Sequence, residues 1–255
     1  KDATVAAAAK TIVDRVNAEY GVVFAKSEVE LNGAKAPNGN RDSETNNGDL
    51  ITDAMIWKVM QNKEGLTVNE DHVVAITNGG GIRAAIAKGD VTKKDINTVL
   101  PFGNTVAVVY VTGEQLLEAL EASTFSTPTA VGGFPQVSGI NFTIHTGKAY
   151  DKNDATYPES TYYGPKTINR VVINSVNGKE FKANEVYAVV TNNFCAAGGD
   201  TYYAFKAASA QFDTGIPLDE AVMEYVTKEL KGVIGKQYAA PQGRITYFNP
   251  FKDVK

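Results

Sequence analysis

The sequence predicts an α+β fold, a mixed α/β arrangement in which mixed sheets are flanked by helices. Two observations carry this. Short apolar runs of strand length sit between segments with helical spacing of apolar residues. Their order shows no regular βαβ alternation, which argues against a doubly wound parallel sheet. The 255 residues are 43% hydrophobic and 21% charged, enough apolar material for a sizeable core. No internal repeat or low-complexity linker interrupts them.

Taken in order, Thr4 to Tyr20 carries Val5, Ala8, Ala9, Ile12, Val13 and Val16 at helical spacing, and Gly21 stops it. Val22 to Leu31 alternates weakly and reads as a strand. The stretch from Asn32 to Asn47 is rich in Gly, Asn, Pro and charge, hence a loop. A second helix places Leu50, Ile51, Ala54, Met55 and Val59 on one face. Val73 to Ile76 is a short, wholly apolar strand that runs into Asn78–Gly79–Gly80–Gly81. Thr92 to Leu100 reads as a short helix halted before Pro101. Thr105 to Val111 is another buried strand, and Thr112 with Gln115 forms a capping box that opens a helix through Ala122. Between Ser123 and Asn184 the pattern is loops and hairpin strands, including Ile140 to His145 and Arg170 to Ile173. Val186 to Thr191 is a strand leading into Asn193–Phe194. A last helix spans Leu218 to Lys231, with Val222, Tyr225, Val226 and Leu230 inward and Gly232 as its stop. Ile245 to Phe248 closes the chain as a strand.

The net charge of −4 gives no global basic field for nucleic acid or an anionic membrane. No apolar run is long enough to span a bilayer. The chain opens on Lys1–Asp2–Ala3 without Met, as a processed or trimmed protein would. One cysteine, Cys195, allows no intrachain disulfide and fits the cytosol and a thiol-poor exported bacterial protein equally.

Three glycine-containing loops follow predicted strands or helices. In Thr77–Asn78–Gly79–Gly80–Gly81–Ile82–Arg83, the glycines permit close backbone approach and N–H nests for anions. Arg83 supplies a planar fork for phosphate, and Asn78 can donate and accept. The same residues also make a tight turn with a surface arginine. In Leu100–Pro101–Phe102–Gly103–Asn104, a constrained turn holds Phe102, which as an isolated Phe reads as core. In Thr191–Asn192–Asn193–Phe194–Cys195–Ala196–Ala197–Gly198–Gly199–Asp200, the acid suits a ribose diol or a cap of the next turn.

Together with Asn47–Gly48–Asp49–Leu50–Ile51–Thr52–Asp53–Ala54–Met55 and Phe134–Pro135–Gln136–Val137–Ser138–Gly139, these motifs occur in one order. That order resembles the C-terminal domain of 5′-nucleotidases and UDP-sugar hydrolases, from about Asn17 to Ile245. The resemblance implies a single substrate-binding domain over residues 21–250, with residues 1–20 as a leading helix or linker. It implies that Phe102 and Phe194 sandwich a nucleobase, that Asn78 contacts the base, and that Gly80 and Gly81 belong to the same pocket. Arg83 and Arg41 would bind phosphate, and Asp200 would hold the ribose hydroxyls. Arg83, next to the glycine turn, is expected near the pocket floor, and Arg41 in the more mobile loop. Cys195 reads as a small packing residue.

Such enzymes hydrolyse nucleoside 5′-phosphates with two divalent metal ions held in an N-terminal metallophosphatase domain. The two histidines here, His72 and His145, are far apart, and neither Gly-Asn pair is followed by His. The resemblance therefore implies a specificity domain without cofactor of its own. Its partners would be a nucleotide or nucleoside and a metallophosphatase domain of the same polypeptide. The chain alone is expected to be inactive, and an extracellular, periplasmic or cell-surface location is expected. A 2′,3′-cyclic phosphodiesterase/3′-nucleotidase, a nucleotide-sugar hydrolase, and a non-catalytic nucleotide-binding surface module are the alternatives.

Overall fold

The computed structural model describes residues 2–156 and 163–249. The first half contains α1 (Ala3–Tyr20), β1 (Val23–Ser27), α2 (Asn46–Met60), β2 (Val73–Asn78), β3 (Gly89–Thr92), α3 (Lys93–Val99), β4 (Thr105–Thr112) and α4 (Gly113–Ser123). There follow β5 (Pro135–Ser138), β6 (Ile140–His145), β7 (Lys152–Thr156), β8 (Tyr163–Pro165), β9 (Val171–Val176) and β10 (Val186–Asn192). The chain continues with α5 (Asn193–Ala196), α6 (Tyr203–Lys206), β11 (Ala210–Pro217), α7 (Leu218–Glu224), β12 (Val233–Ile234) and β13 (Ile245–Phe248).

A five-stranded mixed sheet, in the order β11-β4-β10-β2-β5, is the centre of the fold. Its inner strands are buried on both faces, which is why Val73 to Ile76 and Thr105 to Val111 lack polar alternation. The strand period of two sorts each run between two cores. Val73, Ala75, Val106 and Val108 point to one core, completed by α2 and α7. Val74, Ile76, Ala107 and Val109 point to the other, completed by α4 and by the β13-β6-β9 sheet. The predicted apolar face of α2 is where it was expected: Leu50, Ile51, Ala54, Met55 and Val59 are all buried. The Thr112–Gln115 capping box is formed, with a second at Thr92 and Asp95.

Several elements depart from the sequence reading. The first strand stops at Ser27, and Leu31 makes only an isolated bridge to Ile86. The last helix is regular only to Glu224. Tyr225–Glu229 is a π-turn, closed by Leu230 N–H donating to Tyr225 O at 3.1 Å. Gly232, with φ 81°, ends it as expected. Strand β11 has no counterpart in the sequence pattern. It is an edge strand, mostly exposed and without apolar alternation, formed by pairing to β4. Helix α1 buries none of its residues.

One parallel pair, β2 beside β10, lies at the middle of the sheet, with Val73 opposite Ala188 and Ala75 opposite Val190. Both strands therefore end on the same side, at Asn78 and Asn192. Their starts are joined by His72, whose Nδ1 lies 2.6 Å from Asp71 Oδ1 and Nε2 2.6 Å from Glu185 Oε2. The ring stacks on Tyr187, 5.0 Å away. Lys179 and Lys182 pair with the outer oxygens of the two carboxylates.

The bond to Glu185 holds the His72 pKa above its ordinary value, with Asp71 adding to it against partial burial. A folded pKa above the unfolded one means the clasp stabilises fully below about pH 6.5. That contribution fades as pH rises through the folded value. Chemical denaturation of wild type and His72→Gln should show a wide gap in midpoint near about pH 6 that closes near about pH 9. An equal gap at both would mean that the imidazolium is not what joins the strands.

Candidate functional site

A cavity of about 480 Å³ opens at the C-terminal ends of β2 and β10. The loop before α2 contributes Arg41, and β2 with its turn contributes Asn78, Gly80 and Gly81. The loop between α3 and β4 contributes Phe102 and Asn104. Gly132 comes from the loop ahead of β5, and Phe194 and Asp200 from α5 and the turn after it. Seven of the eight residues singled out from sequence thus meet on one cavity. Arg83 is the eighth and stands beside it.

The glycine turn is built for close approach, not for anion capture. None of Gly79, Gly80 and Gly81 has a positive φ. Gly79 N–H donates to Phe134 O and Gly80 N–H to Gly132 O, each at 2.7 Å. A Cβ on Gly79 would lie 1.6 Å from Asn40 O, and one on Gly80 2.9 Å from Gly132 O. The expected N–H nest is therefore absent, because the first two amides are already bonded. What the glycines allow is three loop backbones converging to form the cavity wall.

Both phenylalanines are at the surface. Phe102 is 60% exposed and Phe194 45% exposed, against the burial usual for Phe. The reading of Phe102 as a core residue is excluded. Pro101 and Gly103, the latter with φ 64°, make the sharp turn that presents the Phe102 ring. The Phe194 ring lies over Gly199, where a Cβ would come within 2.5 Å of Cζ.

The polar groups are held by specific partners. Asp200 takes φ 52°, in the left-handed region that Asp tolerates better than most residues. It does not cap α6, whose N-terminus has no side-chain cap. Its Oδ2 accepts from Asn78 Nδ2 at 2.7 Å. Arg41 is half-buried; its carbonyl accepts from Val131 N–H at 2.9 Å, and its Nε is buried without a partner among the described residues. Arg83 is exposed. It donates to Gly80 O at 3.2 Å, and its guanidinium lies 5.6 Å from the centre of the Phe102 ring. Arg83, expected near the pocket floor, thus stands beside the cavity, whereas Arg41, expected in the more mobile loop, lines it. The carbonyl of Gly80 draws Arg83 back across the rim, whereas Arg41 is tied to the 131–134 loop.

Cys195 is fully buried, and burial, with the nearby charge of Asp200, pushes its thiol up to about 12. It stays protonated, as a packing residue rather than a nucleophile. His145 packs edge-on against Phe248, 5.2 Å away. Among the described residues no three His, Cys, Asp or Glu side chains are grouped to hold a metal ion.

Sequence reasoning missed Asn104 and Gly132. Asn104 stood inside a quoted motif without a role. Gly132 begins a Gly-Gly pair just before Phe134, and that pair, like the other two glycine clusters, was the available signal.

The sequence model described as 5′-nucleotidase, C-terminal domain, matches residues 23–207. The trifunctional nucleotide phosphoesterase protein YfkN of Bacillus subtilis is 38% identical over 207 residues, covering 80% of this chain and 12% of that protein. The cell wall protein Lmo0130 of Listeria monocytogenes is 32% identical over 213 residues, covering 81% of this chain and 24% of that protein. A crystal structure of a 5′-nucleotidase precursor from Thermus thermophilus superposes with a TM-score of 0.72 at 32% identity, covering 97% of this chain and 44% of that one. The chain thus spans less than half the length of each of these relatives.

The Phe194–Gly199 contact gives a test of the cavity that leaves its backbone alone. Gly199 has no positive φ, so Ala is tolerated there by the main chain. Gly199→Ala should turn the Phe194 ring out of place. Loss of stacking worth ~1–3 kcal/mol should weaken binding of a planar heteroaromatic ligand by roughly 5- to 100-fold. Calorimetry would detect this, and unchanged affinity would show that Phe194 does not contact the ligand.

Proposed function

This chain belongs to the family of 5′-nucleotidase C-terminal domains, and we propose that its cavity is the substrate-binding and specificity site of a 5′-nucleotidase. The observation that carries the reading is the meeting, on one cavity, of two exposed aromatic rings with a carboxylate and an arginine. Phe102 and Phe194 come from separate elements and would sandwich a nucleobase. Asn78 would contact the base and Asp200 the ribose hydroxyls. Arg41 from the wall and Arg83 from the rim would hold the phosphate through paired hydrogen bonds. A volume of about 480 Å³ falls in the range of small-molecule sites.

Hydrolysis of the nucleoside 5′-phosphate to nucleoside and phosphate is assigned in this reading to the whole polypeptide. Two divalent metal ions would sit in a metallophosphatase domain, with residues 1–20 as the leading helix or linker and 21–250 as the binding domain. In this reading the present half contributes grip and selection. The relationship to a trifunctional nucleotide phosphoesterase supports a second reading, a broader nucleotide phosphoesterase with the same binding half. The cell wall relative supports an exported protein. No helix among the described residues is long and apolar enough to cross a membrane.

Calorimetric titration with adenosine and AMP tests the assignment. Phe102→Ala and Phe194→Ala should each weaken adenosine by roughly 5- to 100-fold. Arg41→Ala should erase the preference for AMP and leave adenosine binding intact. Arg83→Ala should reduce that preference and also weaken adenosine slightly, because its guanidinium lies on the Phe102 ring. If Arg41→Ala weakens both ligands equally, Arg41 supports the loop and does not read phosphate.

The rigorously purified 255-residue chain should release no phosphate from AMP above background, with or without added Mn²⁺, Zn²⁺ or Co²⁺. Turnover in the ordinary enzyme range of ~1–10³ s⁻¹ would refute the division of labour.

A further inference from the structure

Asn192 closes β10 with its side chain buried. Its hydrogen bonds form a relay with a fixed direction. Cys195 N–H donates to Asn192 Oδ1 at 2.9 Å. Asn192 Nδ2 donates to Thr77 Oγ1 and to Asn78 Oδ1, each at 3.0 Å. Asn78 Nδ2 then donates to Asp200 Oδ2 at 2.7 Å. A lone amide side chain can be turned end for end, but here both ends are pinned. A backbone N–H only donates, and an ionised carboxylate only accepts. The oxygen of Asn192 must therefore face α5, and the oxygen of Asn78 must face Asn192.

We propose that Asn192 is a positioning residue of the nucleoside site, which locks the Asn78 amide with its N–H₂ end toward Asp200. The inference rests on the nucleoside reading of the cavity. With one Nδ2–H given to Asp200, Asn78 has a second to offer a ligand acceptor. Asp200 keeps Oδ1, which accepts no hydrogen bond among the described residues, for a ligand hydroxyl. This corner of the cavity thus selects a ligand that brings an acceptor and a hydroxyl donor side by side. Turned over, Asn78 would set its oxygen against the Asp200 carboxylate, and the corner would lose both its donor and its geometry. The same Asn192 caps the short helix that carries Phe194, so one buried side chain serves the stacking ring and the polar corner together.

Asn192→Asp separates this role from capping. Its carboxylate still accepts from Cys195 N–H, and Asp caps helices as well as Asn. A purely capping role therefore predicts unchanged affinity at every pH. The relay predicts a switch. When protonated, the introduced carboxyl gives its one proton to Asn78 Oδ1, and the step of the relay that orients Asn78 runs as in wild type. When ionised, it can only accept, so Asn78 turns over.

Adenosine should therefore bind the variant with wild-type affinity at low pH and about tenfold more weakly at high pH, the cost of roughly one hydrogen bond. The pH range is set by the ¹³C shift of the introduced carboxyl. Asp200 and the Cys195 thiol face the relay in both proteins, so wild type serves as the control for any contribution of theirs.

The side-chain amide resonance of Asn78 in the ligand-free protein distinguishes the two ways to fail. It should move with the titration of the introduced carboxyl in the variant only. If it does so while wild type binds no adenosine, the nucleoside reading fails and the positioning of Asn78 stands. If it does not move through that titration, or if wild type binds adenosine and the variant binds it equally at all pH values, Asn192 does not position Asn78.

Discussion

The parallel pairing of β2 with β10 is the constraint on which the site depends. Two parallel neighbours end at the same edge of the sheet, so residues more than a hundred positions apart reach one place. Asn78 and Asn192 meet there, and each strand runs directly into a segment that lines the cavity. The register has little freedom, because both strands are buried on both faces. A slip of one residue would exchange Val73 and Ala75 with Val74 and Ile76 between two separate cores. The His72 clasp at one end and the Asn192–Asn78 bond at the other fasten the pair at both limits.

The cavity wall depends on that register a second time. Because β2 pairs antiparallel with β5, Asn78 stands opposite Pro135. This brings the 131–134 loop against the glycine turn. The carbonyls of Phe134 and Gly132 then take the amides of Gly79 and Gly80. Side chains on these glycines would force the loops apart. The site is thus a consequence of sheet geometry carried outward by main-chain bonds, a rigid scaffold presenting loop residues.

How much of this was legible follows from the kind of signal each residue carries. The strands of the central sheet were readable because burial on both faces leaves an uninterrupted apolar run. Strand β11 was not, since it owes its form to pairing with β4 and its exposed side chains carry no pattern. Phe102 and Phe194 were placed on a pocket only by the family resemblance, since Phe102 taken alone reads as a core residue. The relative placing of Arg41 and Arg83 was not legible. It turns on which partner each arginine segment finds, the Gly80 oxygen for Arg83 and the Val131 amide for the Arg41 backbone. Asn192 lay within a motif that had been singled out, yet its part is to orient another side chain. No property of its own residue type announces that, and only the chain of bonds does.

The same geometry limits what this half can do with charge. Stacking on Phe102 and Phe194 needs only two faces of a ring and works beside water. A charge-assisted hydrogen bond to phosphate is different, because its net value rises as water is excluded. Arg83 is exposed, and only Arg41 is partly shielded. On the proposed reading, the cavity as it stands is therefore better equipped to recognise a base and a ribose than to hold a phosphate firmly. On that reading, firm retention of a phosphate would require a second surface over the two guanidinium groups, and the Asn78–Asp200 corner would not, since its hydrogen bond is already made within the fold.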